Sequence, residues 1–154
     1  MAEKEHIIIE SGDAVQPFAY SVGMYGSKFF TEIRDNCRFL AVRCPKCKKV
    51  YIPPRAVCGD CFVEMKDWVE VGPKGIISTF TILRFAFIDP ETGAQKPVPY
   101  GYGFIKFDGA DTLFQHYINV EDETKIKVGA RVEPVFAKDR KGSIRDIEYF
   151  KVID

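Results

Sequence analysis

Cys44-Pro45-Lys46-Cys47 and, with ten residues between, Cys58-Gly59-Asp60-Cys61 are the stretch from which this chain can be read. Two residues between cysteines let one tight turn present both sulfurs to a single ion. The residues between the pairs can form a short hairpin that brings the second turn to the open side of the tetrahedron. That is the spacing of a rubredoxin-like zinc ribbon. Two disulfides, or a redox Cys-x-x-Cys motif, would not require a matching second pair at this distance. Iron uses the same four sulfurs in rubredoxin-like sites, so spacing leaves the choice of metal open. Either way the shell is full: a catalytic zinc keeps a position for water or substrate, and four cysteines leave none. The expected role of Cys44, Cys47, Cys58 and Cys61 is structural.

The surroundings of the cysteines are basic. Arg43, Lys46, Lys48, Lys49 and Arg55 lie beside them, and no acid falls between 43 and 57. Four thiolates around a dication leave a local charge of about minus two, so these cations either compensate the thiolates or bind a phosphate. Phe39–Arg43 and 49–52 read as the strands flanking the first turn. Pro53-Pro54 cannot donate to a ladder and ends the pairing, which sets Arg55 on a stiff, extended turn. A guanidinium held there suits a phosphate or carboxylate, with a surface ion pair as the ordinary alternative.

Upstream, Phe29, Phe30, Ile33 and Cys37 recur at helical spacing, which predicts an amphipathic helix over 26–39 with Ser27 as N-cap. Tyr25, Phe29 and Phe30 either face a second protein or seal the top of the ribbon. Residues 1–22, with Ile7 to Ile9 and Gln16-Pro17-Phe18, show no sustained period and read as an arm that packs on a partner or adds a strand. Downstream, Gly72-Pro73-Lys74-Gly75 marks a turn where a second module begins. Strands are then expected over 75–85, 100–107, 113–120, 131–137 and 144–152, and their order fits a five-stranded oligonucleotide/oligosaccharide-binding (OB) barrel. The fold class is therefore mainly β: an N-terminal amphipathic helix and zinc ribbon followed by the barrel. The expected division is an arm at 1–24, helix plus ribbon at 25–71 and barrel at 72–154. The connection from Ala86 to Pro99, with Phe87 and three prolines, is long for a small barrel and reads as an interface or a lid. Gly101 and Gly103 would permit a barrel bend or close backbone approach.

Composition narrows the functions. The chain has 154 residues with 22 acids and 22 bases, a balance that argues against a protein devoted to neutralising a phosphate backbone. Tyr100, Tyr102, Phe104 and Phe114 could stack bases, but their alternation on strands assigns most of them to the core, and nucleic-acid binding is the lesser alternative. No apolar run is long enough to span a bilayer, the first residues do not read as a signal peptide, and thiols holding a metal fit the cytoplasm. Cys37 reads as a small buried residue, since His6 and His116 are distant in sequence. No Ser-His-Asp or comparable constellation suggests itself.

The ordered string Phe29-Phe30, Arg43-Cys44-Pro45-Lys46-Cys47, Tyr51-Ile52-Pro53-Pro54-Arg55, Cys58-Gly59-Asp60-Cys61 and Gly75-Ile76-Ile77-Ser78-Thr79-Phe80-Thr81 resembles one family. It is similar to the small acyl-CoA-associated zinc-ribbon/OB-fold proteins that accompany thiolases and hydroxymethylglutaryl-CoA synthases. The likeness covers about 25–152. It implies zinc on the four cysteines and a non-catalytic subunit in a hetero-oligomer with a thiolase-superfamily enzyme, in some relatives helping to accommodate the CoA moiety of an acyl-CoA. Were CoA contacted, Arg55, with Lys48 and Lys49 behind it, would meet its phosphates. A free-standing acyl-CoA binder or hydrolase is the other alternative. One departure is Lys48, which replaces the glycine common after the second ligand and so strains that turn.

Overall fold

A computed structural model describes residues 21–89 and 93–153; most of the expected arm lies outside them. Helix α1 (Gly23–Asn36) leads into strands β1 (Phe39–Arg43), β2 (Val50–Tyr51) and β3 (Asp67–Val71), which form an antiparallel sheet in the order β2-β1-β3. Strands β4 (Gly75–Leu83), β5 (Tyr100–Phe107), β6 (Phe114–Ile118), β7 (Arg131–Phe136) and β8 (Ile147–Val152) close a barrel in the order β4-β5-β6-β8-β7. Only the β6–β8 contact is parallel among these pairings. This is the mainly β, ribbon-plus-barrel architecture expected from sequence. Among the described residues, no helix is long and apolar enough to cross a membrane.

Three local features depart from expectation. The helix begins three residues earlier than predicted, and Ser27 does not cap it: its hydroxyl donates to the Gly23 carbonyl one turn back, at 2.7 Å. The Gly23 N–H instead donates to the Ser21 hydroxyl, at 3.2 Å. Phe39 belongs to β1, because Cys37 adopts the left-handed conformation (φ 52°) and its N–H bonds back to Ile33 and ends the helix. Second, Asp67–Val71 is not merely a join. It pairs with all of β1, from Phe39↔Val71 to Arg43↔Asp67. Third, the last expected strand starts at Ile147 rather than 144, since Ser143 and Asp146 form a reciprocal capping box around a single 3₁₀ turn, Ile144–Asp146. The buried Asp146 carboxylate accepts from the N–H groups of Lys141, Gly142 and Ser143.

The apolar core does not stop at the turn around residue 72. Phe29 of α1 and Phe39 of β1 are fully buried in the cluster that also contains Phe107, Phe114 and Phe150 of the barrel. The Phe39 ring lies 4.6 Å from that of Phe107 and 6.0 Å from that of Phe114, centroid to centroid. Phe29 therefore seals the ribbon against the barrel and is not a free face for a partner. Tyr25 is likewise committed: its hydroxyl donates to the Met65 carbonyl at 2.6 Å and its ring stacks on Trp68.

Polar contacts reinforce the junction. Strand β2 has β1 on one side; on the other, Val50 N–H donates to the Asp111 carboxylate at 2.8 Å and Asp111 N–H donates to the Val50 carbonyl at 2.9 Å. The Thr112 hydroxyl accepts from Ile52 N–H at 2.7 Å and donates to the Ile52 carbonyl at 2.8 Å. The turn between β5 and β6 thus acts as a fourth strand beside the ribbon and satisfies donors that an edge would leave exposed.

In the barrel, the parity of β5 is the reverse of a simple apolar-in reading. Gly101 and Gly103 face inward, where a Cβ would sit 2.7 Å from the Ile118 carbonyl oxygen and 2.5 Å from that of Thr79. These glycines let the barrel close, and Tyr100, Tyr102 and Phe104 consequently point outward. Of the four aromatic residues assigned mostly to the core, only Phe114 is buried there.

Candidate metal centre

Two turns of identical design present the cysteines. In the first, Lys48 N–H donates to the Cys44 carbonyl and Cys44 N–H to the Lys49 carbonyl; in the second, Phe62 N–H donates to Cys58 and Cys58 N–H to Val63. The residue after each second cysteine takes the left-handed conformation, Lys48 at φ 65° and Phe62 at φ 55°. The strain expected at Lys48 is present, and it occurs twice. A side chain there costs about 1 kcal/mol relative to glycine. The Lys48 ammonium donates to the Pro45 carbonyl at 2.8 Å and closes its own turn.

The sulfurs of Cys44, Cys47, Cys58 and Cys61 all lie within 4.8 Å of one another. Cys47 and Cys58 are 3.7 Å apart. Four sulfurs at about 2.3 Å from a central zinc would be about 3.8 Å apart along each tetrahedral edge, so the cage has the size of the ion. Cys44 and Cys58, the first of each pair, are buried, whereas Cys47 is exposed. The four cysteines constitute a structural zinc site, and the shell they fill holds no place for a reacting molecule.

Hydrogen bonds around the cage favour thiolate. The Tyr51 hydroxyl lies 3.4 Å from Cys58 Sγ and pulls that thiol down to about pKa 6, while the phenol itself is pushed up. Cys47 N–H points at Cys44 Sγ at 3.4 Å. Burial raises Cys61 in the opposite direction. Sequence reading did not single out Tyr51; its place beside the cage depends on the β1–β2 pairing, which puts residue 51 seven positions before a ligand but directly against it.

The flanking cations are distributed differently from the simple alternatives. Lys49 pairs with Asp60 of the second turn at 3.0 Å, and its pKa is raised first by that bond and then by the charges of Cys47 and Cys58. Asp60, an acid just outside the 43–57 window, thus takes up part of the positive charge that Lys49 would otherwise offer the thiolates. Arg43 pairs with Asp67 at 3.6 Å. Among the described residues Arg55 forms no surface ion pair, the ordinary alternative: its guanidinium lies over the Tyr51 ring, 4.9 Å from the centroid. Lys48, Lys49 and Arg55 therefore each hold to the ribbon itself. Cys37 is half-buried at the helix end, and His116 is buried against Phe114 and Phe150 with Nε2 at 3.3 Å from the Ile144 carbonyl. Neither meets a catalytic partner among the described residues.

Comparison with known proteins agrees with this geometry. Residues 32–66 match the model of the ChsH2 rubredoxin-like zinc ribbon domain, and 68–137 match that of the ChsH2 C-terminal OB-fold domain. A DUF35 domain-containing scaffold protein of Methanocaldococcus jannaschii is 25% identical over 107 residues, which is 69% of this chain and 72% of that protein. Among solved structures, a DUF35-family protein of unknown function from Sulfolobus solfataricus aligns with a TM-score of 0.61 and 21% identity, over 85% of this chain and 87% of that one. A chain of the Ltp2-ChsH2(DUF35) aldolase aligns with a TM-score of 0.62 and 18% identity, over 87% of this chain and 98% of that one. With both domain models matched in this order on adjoining segments, the chain belongs to the ChsH2-type zinc-ribbon/OB-fold family.

Proposed function

We propose that this chain is a cytoplasmic, non-catalytic accessory subunit that forms a hetero-oligomer with a thiolase-superfamily enzyme acting on acyl-CoA. The observation that carries the proposal is the four-cysteine cage: a metal held there would have all four positions filled, bracing the fold with no vacant position for chemistry. Support comes from two relatives, one described as a scaffold protein and the other a component of an aldolase complex. On this reading the partner carries out the reaction, and this subunit assists assembly and the accommodation of CoA. Arg55, with Lys48 and Lys49, remains the proposed contact for CoA phosphates. Engagement would exchange the Tyr51 stacking and the Asp60 pair for phosphate oxygens. Benzoylsuccinyl-CoA, the substrate of a thiolase of anaerobic toluene degradation, is one acyl-CoA that suits the proposal.

The test is co-expression with a thiolase-superfamily enzyme of the same organism. A stable complex on gel filtration, with thioester chemistry absent from either subunit alone or weaker in it, is the expected result. A clean monomer that ignores that enzyme, or a purified chain that cleaves thioesters unaided, would overturn it. Arg55→Ala should raise the KM for acyl-CoA while leaving complex formation intact; unchanged kinetics would remove the CoA contact from the proposal and leave the subunit role standing.

A further inference from the structure

The reversed parity of β5 leaves an aromatic surface outside the barrel. Tyr100 and Tyr102 flank Tyr117 of β6, with ring centroids 5.7 Å and 5.2 Å from it. Phe87, Ile88, Asp89 and Lys96, between β4 and β5, border this surface on one side, and Ile144 and Arg145 of the 3₁₀ turn border it on another. Asp89 of the connection and Arg145 of the turn clasp each other, with both carboxylate oxygens 2.9 Å from the guanidinium. His116 holds the turn from beneath through the Ile144 carbonyl. Two adjoining cavities of about 270 and 380 Å³ remain, and Lys96, Tyr117 and Arg145 line both.

Lys96 is the unusual member. Its ammonium sits 3.5 Å from the centroid of Tyr117 and 5.7 Å from that of Tyr100, and it makes no hydrogen bond or ion pair among the described residues. The rings offset part of its charge but supply no acceptor for its three N–H donors. Asp89 is paired with Arg145, and among the described residues lining the cavities the other acid is Glu148, which lines the larger one only. Burial lowers the Lys96 pKa, the Asp89 carboxylate offsets part of that and Arg145 lowers it again, so an anion arriving here would favour the charged ammonium.

We infer that this recess is a binding site for a small ligand with an anionic group on a flat body, a planar carboxylate or phosphate. Its anionic oxygens accept from Lys96, and its face lies along the tyrosines. A cationic ligand is disfavoured because Lys96 already occupies the aromatic box. The site is separate from the zinc cage, and the inference does not rest on the proposed subunit role.

The test uses the full zinc-loaded chain alone, with backbone amide NMR shifts followed during titration with benzoate, phenyl phosphate and neutral benzyl alcohol. Saturable shifts at residues 96, 100, 102 and 117 are expected for an anionic probe, with benzyl alcohol at least tenfold weaker. Benzoate outbinding phenyl phosphate would assign a carboxylate ligand, and the reverse order a phosphate. Lys96→Met keeps the apolar stem and should weaken the anions by about tenfold or more, the worth of one charge-assisted hydrogen bond, without changing benzyl alcohol binding. Lys96→Arg should retain the anions within a few-fold, and serves if the methionine variant folds poorly. Anions that bind no more tightly than benzyl alcohol, or a methionine variant as strong as the parent, would overturn the inference.

Discussion

Removing the Phe107 side chain from the barrel should destabilise the zinc ribbon. Phe107 is 1% exposed, and its ring meets Phe114 and Phe150 within the barrel, but its nearest aromatic neighbour is Phe39 of β1 at 4.6 Å. Truncating a buried Phe to Ala costs about 3–5 kcal/mol through lost transfer energy and the residual cavity. Collapse into that space is hindered because the surrounding rings are each held by several others. For a chain of this size a cost of that magnitude lowers the melting temperature by about 6–20 °C. The assay is built into the sequence: Trp68 is the sole tryptophan and lies in β3 of the ribbon, so its fluorescence reports that sheet while far-UV circular dichroism is weighted toward the barrel strands. Phe107→Ala is expected to move both transitions together and by the same amount. A Trp68 transition that stays in place while the dichroism signal shifts would refute the shared core and make the ribbon an independent unit.

Other outcomes follow from single contacts. Tyr51→Phe deletes the hydroxyl beside Cys58 and should reduce zinc affinity by about 10–100-fold in chelator competition, with the fold retained. Asp146→Ala leaves three backbone donors around the 141–146 turn without their acceptor and should cost at least about 3 kcal/mol by denaturant unfolding. His116 is buried and its pKa is lowered by that burial. The unfolded chain therefore binds a proton first as pH falls below about 6.5, and stability present above that pH is lost below it. Relative to wild type, His116→Phe should show a smaller loss of unfolding free energy between pH 7 and pH 5; equal slopes would place the titration elsewhere.

Much of this molecule could be read from residue spacing. The four cysteines, the five barrel strands and the amphipathic face with Phe29 and Ile33 each rest on local patterns, and the structure holds them where those patterns put them. What escaped depends on neighbours distant in sequence. Asp60 reaches Lys49 only after the second turn folds back, so an acid-free window gave a misleading local charge. Strand β3, Asp-Trp-Val-Glu-Val, has two acids three residues apart and no period of two, so the strand preference of Trp68, Val69 and Val71 was the available signal for a third ribbon strand. The outward aromatic surface was missed for a steric reason. Alternation along β5 was visible, but which set faces inward was decided by how closely Ile118 and Thr79 approach, and only glycine tolerates that approach. Tyr100 and Tyr102 were thereby displaced to the outside, where Lys96 meets Tyr100 and Tyr117.

The clamp on β2 limits how another polypeptide can attach. With the 111–112 segment already seated along β2 and the barrel closed on itself, the outer margin of β3 is, among the described residues, the remaining side of the ribbon sheet that could be lengthened by a foreign strand. That margin carries Asp67 and Glu70, tethered to Arg43 and Arg38, and such charges discourage indiscriminate pairing. A companion enzyme that recognises this protein by adding to its sheet must accommodate those two carboxylates; one that does not must dock through side chains alone.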